Sequence, residues 1–169
     1  MSDIQIVKNY LPGSIGRVAE LHGTYYHQHW GFGQFFEAKV ATELSAFLER
    51  YDEDADGFWT VSVNGRVEGS ITIDGIHATD QGAHLRWFIM SDALRGQGFG
   101  NQLLTLALDF CRSRRYTRIY LWTFENLNAA RHLYEKYGFQ LVEQHRGTRW
   151  GTEVNEQRFE CDLFYPDRA

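Results

Sequence analysis

Apolar and polar side chains alternate over residues 4–11, Ile-Gln-Ile-Val-Lys-Asn-Tyr-Leu, and predict an opening strand. Pro12-Gly13-Ser14 then supplies a turn and an N-cap, after which Ile15, Val18, Leu21, Tyr25 and His29 recur at helical spacing. Gly31-Phe32-Gly33 ends that helix, and Phe35, Val40, Leu44, Phe47 and Leu48 mark a second. Strands of about 57–63 and 67–76 flank Asn64-Gly65, the pair that suits a two-residue type I′ hairpin because both central positions accept positive φ. Another strand runs over about 83–90. Leu103, Leu104, Ala107, Leu108 and Cys111 line one face of a long helix; 118–123 reads as a short buried strand and 127–137 as a helix closed by Gly138. Two strands, about 139–145 and 155–163, finish the chain. The order β-αα-βββ-α-β-α-ββ predicts an α/β fold, a mixed and mostly antiparallel sheet flanked by helices. No repeat or Gly/Ser/Pro-rich linker divides it, so 1–169 reads as a single domain.

Composition narrows the class. With 43% hydrophobic and 15% aromatic residues the chain has apolar area enough to fold alone. No apolar run reaches the roughly 18 residues that span a bilayer. Met1-Ser2-Asp3-Ile4 has neither a basic region nor a signal core, so a cytoplasmic protein without membrane contact is expected. Cys111 and Cys161 have no C-x-x-C spacing and read as reduced thiols, and no metal site is expected. A net charge of −5 disfavours nucleic acid and suits a cationic partner, although Arg outnumbers Lys 14 to 3.

The densest polar signal lies between a strand and the long helix, at Arg95-Gly96-Gln97-Gly98-Phe99-Gly100. Alternate glycines let the backbone approach a ligand, and the positive end of the following helix favours an anion. A phosphate or pyrophosphate suits such a loop; a plain strand-to-helix turn is the alternative. The spacing is neither G-x-x-x-x-G-K-[ST] nor G-x-G-x-x-G, since Asn101, Gln102 and Leu103 follow Gly100. A second signal, Leu133-Tyr134-Glu135-Lys136-Tyr137-Gly138-Phe139, joins a helix end to a strand start. In that order, R-x-x-G-x-G and A-x-x-L-Y-E-K-x-G-F resemble the GNAT acyl-CoA N-acyltransferase superfamily, and the element order is similar over nearly the whole chain. Glu20-Leu21-His22-Gly23 and Trp30-Gly31-Phe32-Gly33 look most like the acetyltransferase half of bacterial MarR-type regulator fusions, here without the DNA-binding half.

The resemblance implies a GNAT-like fold and direct transfer of the acetyl group of acetyl-CoA to a primary amine of a small molecule or peptide. An acyl-CoA-binding or sensing module is the alternative, because Leu127 stands where family members often carry Asn and Trp122 where some carry a catalytic Glu. It places Phe88, Ile89 and Met90 along the pantetheine arm, with Arg95, Gly96, Gln97, Gly98, Phe99, Gly100 and Asn101 around the pyrophosphate and Asn126 beside the CoA. Tyr134 falls at the motif tyrosine, as general acid toward the departing thiolate or as packing against the CoA.

A base is needed as well. An alkyl ammonium of pKa about 10.4 is neutral in about one molecule per few thousand at pH 7, a deficit of roughly 4 to 5 kcal/mol. Glu37, His84 and Glu125 are the candidate bases, with an ordered water as the alternative, and a backbone N–H near Ile89 is the expected oxyanion donor. The acceptor is expected against the aromatic segment 25–36 and the last strands, with Tyr26, Trp30, Phe32, Trp122 and Trp150 as its walls. Tyr25, Phe35 and Phe36 are assigned to the core, and Arg86 or Arg149 to a substrate carboxylate. His27-x-His29 is no metal pair, because i and i+2 diverge on a helix. A homodimer is the assembly this reading allows.

Overall fold

Asn64 and Gly65 adopt φ of 50° and 81° and close the two-residue hairpin that their sequence predicts. That hairpin joins the second and third strands in a computed structural model that describes residues 1–166. The elements are β1 (Ile4–Lys8), α1 (Ser14–Trp30), α2 (Gln34–Glu49), β2 (Gly57–Val63), β3 (Arg66–Asp74), β4 (Ala83–Met90), α3 (Phe99–Ser113), β5 (Arg118–Phe124), α4 (Asn128–Lys136), β6 (Gln140–Gly147) and β7 (Val154–Asp162). The order is the one read from the sequence. β1 stops earlier than its apolar pattern suggests, because Asn9 turns to φ 74° and gives its N–H to Phe58 O.

All seven strands form one sheet in the order β1-β2-β3-β4-β5-β7-β6. Every neighbouring pair is antiparallel except β4 and β5. Helices cover both faces. Val18 of α1 and Phe36, Val40, Leu44 and Phe47 of α2 pack with Phe58, Val67, Trp87 and Phe124 on one face. Leu103, Leu104, Ala107, Leu108 and Cys111 of α3, with Tyr134 of α4, pack with Trp59, Val61, Ile71, Ile73, Ile119 and Phe159 on the other. The central strands are therefore buried on both sides, and each fully covered Leu, Ile or Phe contributes about 1.5–3 kcal/mol of apolar transfer. Cys111 and Cys161 are both free and buried, as thiols of the core.

Two irregularities shape the site. The β3–β4 register slips between Ser70 and Thr72, so that Trp87 and Phe88 together oppose Ile71. Ala83 and Leu85 face the α3 layer before this bulge, whereas after it Phe88 and Met90 do, and the Trp87 ring joins the α1–α2 layer. The parallel pair β4–β5 is registered only at Ala83↔Ile119 and His84↔Tyr120. Beyond those two steps the strands part, and the sheet opens.

Candidate active site

The opening between β4 and β5 leads into a cavity of about 980 Å³ that passes from the α3–α4 side of the sheet to the α1–α2 side. On the α3–α4 side it is walled by Arg95, Gly96, Gly98, Phe99, Gly100 and Asn101. Gly96 and Gly98 sit at φ 74° and 82°, and a Cβ at either would meet no atom within 4 Å, so the loop leaves open space above its backbone. Gly98 is the N-cap of α3, whose first amides and dipole face the same space. Gly100 serves packing instead: a Cβ there would stand 3.0 Å from Met90 Cε and 3.4 Å from Leu133. Asn101 is held by Lys136 Nζ at 2.9 Å and Tyr137 Oη at 3.0 Å. Gln97 turns away from the cavity and donates to Ala93 O at 2.8 Å. Arg95 stacks on Tyr25 and pairs with Asp92.

Phe88, Ile89 and Met90 all line the cavity, but their peptides do not point the same way. Ser91 N–H donates to Glu68 O at 2.7 Å, and strand alternation turns the Ile89 amide toward β3 as well. The amides left for the opening are those of Met90 and Phe88, which flank Ile89 in the stretch where the oxyanion donor is expected. Asn126, at φ 82°, and Leu127 line the opposite lip.

Tyr134 reaches the cavity from α4, packed against Phe88, Phe139 and Phe159. Burial raises its hydroxyl pKa well above the ordinary phenol value, and Tyr26, meeting it from the opposite helical layer, raises it further. The group stays protonated and can donate. Burial likewise raises Tyr26.

The three candidate bases separate. His84 lines the cavity, stacked on Tyr120 at 4.4 Å, with no hydrogen bond to its ring among the described residues. Its pKa is held well below the ordinary value by burial, then by Arg86, Arg158 and Arg149. Glu37 and Glu125 do not line it. Glu37 is exposed, its carboxylate lying over Gly23 where a Cβ would overlap it; Glu125 is exposed beside Asn155.

Of the expected acceptor walls, Tyr26, Trp30, Trp122 and Trp150 line the cavity. Phe32 does not, since it is 1% exposed and packed between Tyr26, Phe36 and Phe124. The cause is Gly31, whose left-handed φ of 71° reverses the chain and carries Phe32 under α1, with Phe32 O bound to His27 Nδ1. Phe36 is core, Tyr25 is half-buried, and Phe35 is 60% exposed beside Gly151 rather than inside.

The charge of the lining departs from the acidic balance of the whole chain. Lys39, Arg86, Arg95, Lys136 and Arg149 line the cavity, and Glu43 is the one carboxylate among the described residues that do. The sequence reading missed Lys39, Glu43, His132 and Lys136. It also missed Tyr120, the platform for His84, which the period-two run Tyr120, Trp122, Phe124 on β5 would have revealed.

The sequence profile of the Acetyltransferase (GNAT) family matches residues 17–139. The chain belongs to that family. An uncharacterized N-acetyltransferase of Methanocaldococcus jannaschii is 24% identical over 127 residues, 73% of this chain and 56% of that protein. One of Escherichia coli is 27% identical over 101 residues, 59% of this chain and 60% of its own. Each match thus spans little more than half of the curated relative. Among solved structures, a GNAT-family acetyltransferase from Staphylococcus aureus has a TM-score of 0.75 at 16% identity, covering 96% of this chain and all of its own. A Salmonella typhimurium protein, solved with its cofactor acetyl-CoA, has a TM-score of 0.71 at 16% identity, covering 98% and 99%.

Proposed function

We propose that this GNAT protein transfers the acetyl group of acetyl-CoA directly to a primary amine, of a small molecule rather than of a long peptide. The observation that carries this reading is the continuous cavity through the sheet, with a glycine loop on one side and the His84 ring, stacked on Tyr120, on the other. The fit to the CoA is steric and electrostatic: open space over Gly96 and Gly98, amides at the head of α3, and Arg95 and Lys136 alongside. Bound there, acetyl-CoA supplies a thioester whose carbonyl carbon is open to attack.

The chain's own groups then divide the work. The Met90 and Phe88 amides offer hydrogen bonds to the carbonyl oxygen as it gains charge. The Tyr134 hydroxyl donates toward the sulfur as the C–S bond breaks, stabilising a thiolate of ordinary pKa about 8.5. His84 takes the ammonium proton that the acceptor must lose before its nitrogen attacks, and the N–H proton released as the C–N bond forms leaves with the thiolate as the CoA thiol. The depressed pKa of His84 keeps the ring neutral before reaction and passes the proton on readily. A second cavity of about 300 Å³, which His84 also lines with Arg50, Asp74 and His77, offers the route to solvent. Neither Cys111 nor Cys161 enters this scheme. Burial raises both thiols, which disfavours a thiolate nucleophile and supports direct transfer.

The test is thiol release from acetyl-CoA with a panel of primary amines, the acetylated product being identified by mass spectrometry. Turnover that falls in both Tyr134→Phe and His84→Gln supports the assignment. Tight CoA binding with no release across the panel overturns it in favour of an acyl-CoA sensor.

A further inference from the structure

We propose that the acceptor carries a carboxylate beside its amine and that Arg149 seats it, the substrate being a free amino acid with an apolar side chain. This rests on the acetyl-transfer reading for the amine half of the ligand. It begins from Arg149 in the β6–β7 connection, which lines the cavity with Trp122 and Trp150. Arg149 Nε donates to Glu156 Oε1 at 2.8 Å, and its backbone N–H donates to Oε2 at 3.1 Å. The guanidinium carbon stands 3.9 Å from the Trp122 ring centroid. Glu156 is buried behind it, with its side chain 3% exposed, and fits there because Gly147 has no Cβ to overlap its carboxylate. The plane of the guanidinium is therefore fixed before any ligand arrives.

What it still offers is the end of the fork. Neither terminal nitrogen of Arg149 makes a hydrogen bond among the described residues. Two parallel N–H groups at that end match the two oxygens of a carboxylate. Other guanidiniums on this face are committed elsewhere. Arg86 spans Glu43 at 3.3 Å and Asp74 at 3.6 Å, and Arg158, which does not line the cavity, pairs with Glu160 at 3.1 Å. Glu43 is in turn held by Lys39 at 3.1 Å, so among the described residues no free lining carboxylate stands ready for a second ammonium. Trp30, Phe124 and Trp150 form the rest of this wall, which suits an apolar side chain between the carboxylate and the opening.

The same arrangement ties recognition to proton removal. The charges that depress His84 all belong to guanidiniums, those of Arg86, Arg158 and Arg149. A carboxylate settling on Arg149 offsets part of that field and returns His84 toward a more basic imidazole when the amine must lose its proton.

Binding and turnover test this separately. In the binding arm, 3-phenylpropionate and its uncharged amide are titrated into the CoA-loaded protein, with tryptophan fluorescence and calorimetry as readouts. The acid is expected to bind about tenfold or more tightly than the amide, and Arg149→Gln to bring the ratio to about one. Since that variant leaves Glu156 unpaired, R149Q combined with E156Q repeats the measurement without the buried charge. Equal binding of acid and amide to the native protein, or a ratio unchanged in both variants, overturns the proposal. In the turnover arm, L-phenylalanine and phenethylamine are compared by kcat/KM, and the amino acid is expected to lead by about tenfold, mainly through KM. A carboxylate-selective, Arg149-dependent site without thiol release would support the seat and overturn acetyl transfer; turnover indifferent to the carboxylate would do the reverse.

Discussion

The Ser70 hydroxyl donates to the Trp87 carbonyl at 2.7 Å, with both residues buried. The bond lies at the bulge where Trp87 is held at φ 46°, a left-handed conformation that costs a bulky residue about 1–3 kcal/mol. Packing on Phe47 at 5.7 Å and stacking of Arg86 on the indole at 4.1 Å help to offset that strain. Ser70→Ala is expected to lose about 1–3 kcal/mol of stability, because it orphans a buried carbonyl. It should also raise KM for acetyl-CoA, since the bulge aims the Phe88 and Met90 amides. Urea unfolding and initial rates check the two together; unchanged KM at reduced stability would separate the bulge from cofactor alignment.

Gly98→Val isolates the loop from the core. The Cβ meets nothing within 4 Å, so the cost to folding is only the left-handed strain at φ 82°, about 1–2 kcal/mol. Acetyl-CoA binding should weaken about tenfold or more, as the side chain enters space left for the ligand. Calorimetric titration beside a thermal melt measures both.

Tyr134→Phe keeps the ring and its contacts with Phe88 and Phe139 while removing the donor. We expect kcat to fall by about 10²-fold with KM for acetyl-CoA little changed, within the range of a single acid–base group. A thioester with a much more acidic leaving thiol should react nearly as well in the variant as in the native protein.

The acid limb of the kcat/KM profile follows His84. Its folded pKa lies below the ordinary 6.5, so the neutral form persists to pH values under 6.5 and activity is lost only there. Weakening the guanidinium field by Arg86→Gln moves that limb upward. A limb in the native protein at or above 6.5 would show that another group titrates.

Stability has its own pH dependence through His22, buried and bound through Nδ1 to Val18 O. Burial lowers its pKa from 6.5 to about 4, so between those values the unfolded chain holds the extra proton. The contribution is fully present above pH 6.5 and falls away on acidification, by about 3 kcal/mol at pH 4. His84 acts with the same sign. His22→Gln should flatten this part of a plot of unfolding free energy against pH.

The sequence made some of this legible and concealed the rest for definable reasons. Asn64-Gly65, Gly31 and the stripe from Leu103 to Cys111 act through local backbone preference or one helix face, so pattern alone found them. The glycine loop was visible because close backbone approach leaves a compositional mark. The places of Glu37 and Glu125 depend on how α1, α2 and β5 meet across the sheet, which no local window contains. The bulge itself was hidden: one extra residue changes which side chains of β4 face which layer, and Trp87, the residue that makes it, looks like ordinary core.

The two backbone steps joining β4 to β5 have a consequence for the protein's lifetime. Hydrogen bonding across the middle of the sheet rests on Ala83–Ile119 and His84–Tyr120, and past them two strand edges face an open slot. An extended amide-bearing ligand seated in that slot would complete the sheet as a guest strand does, and it would bind only the folded chain. Occupancy and endurance thereby become one variable, rising as RT ln(1 + [L]/Kd) and reaching about 2.7 kcal/mol at a hundredfold excess over Kd. A cell whose acyl-CoA pool runs down would hold not only an idle copy of this protein but a shorter-lived one.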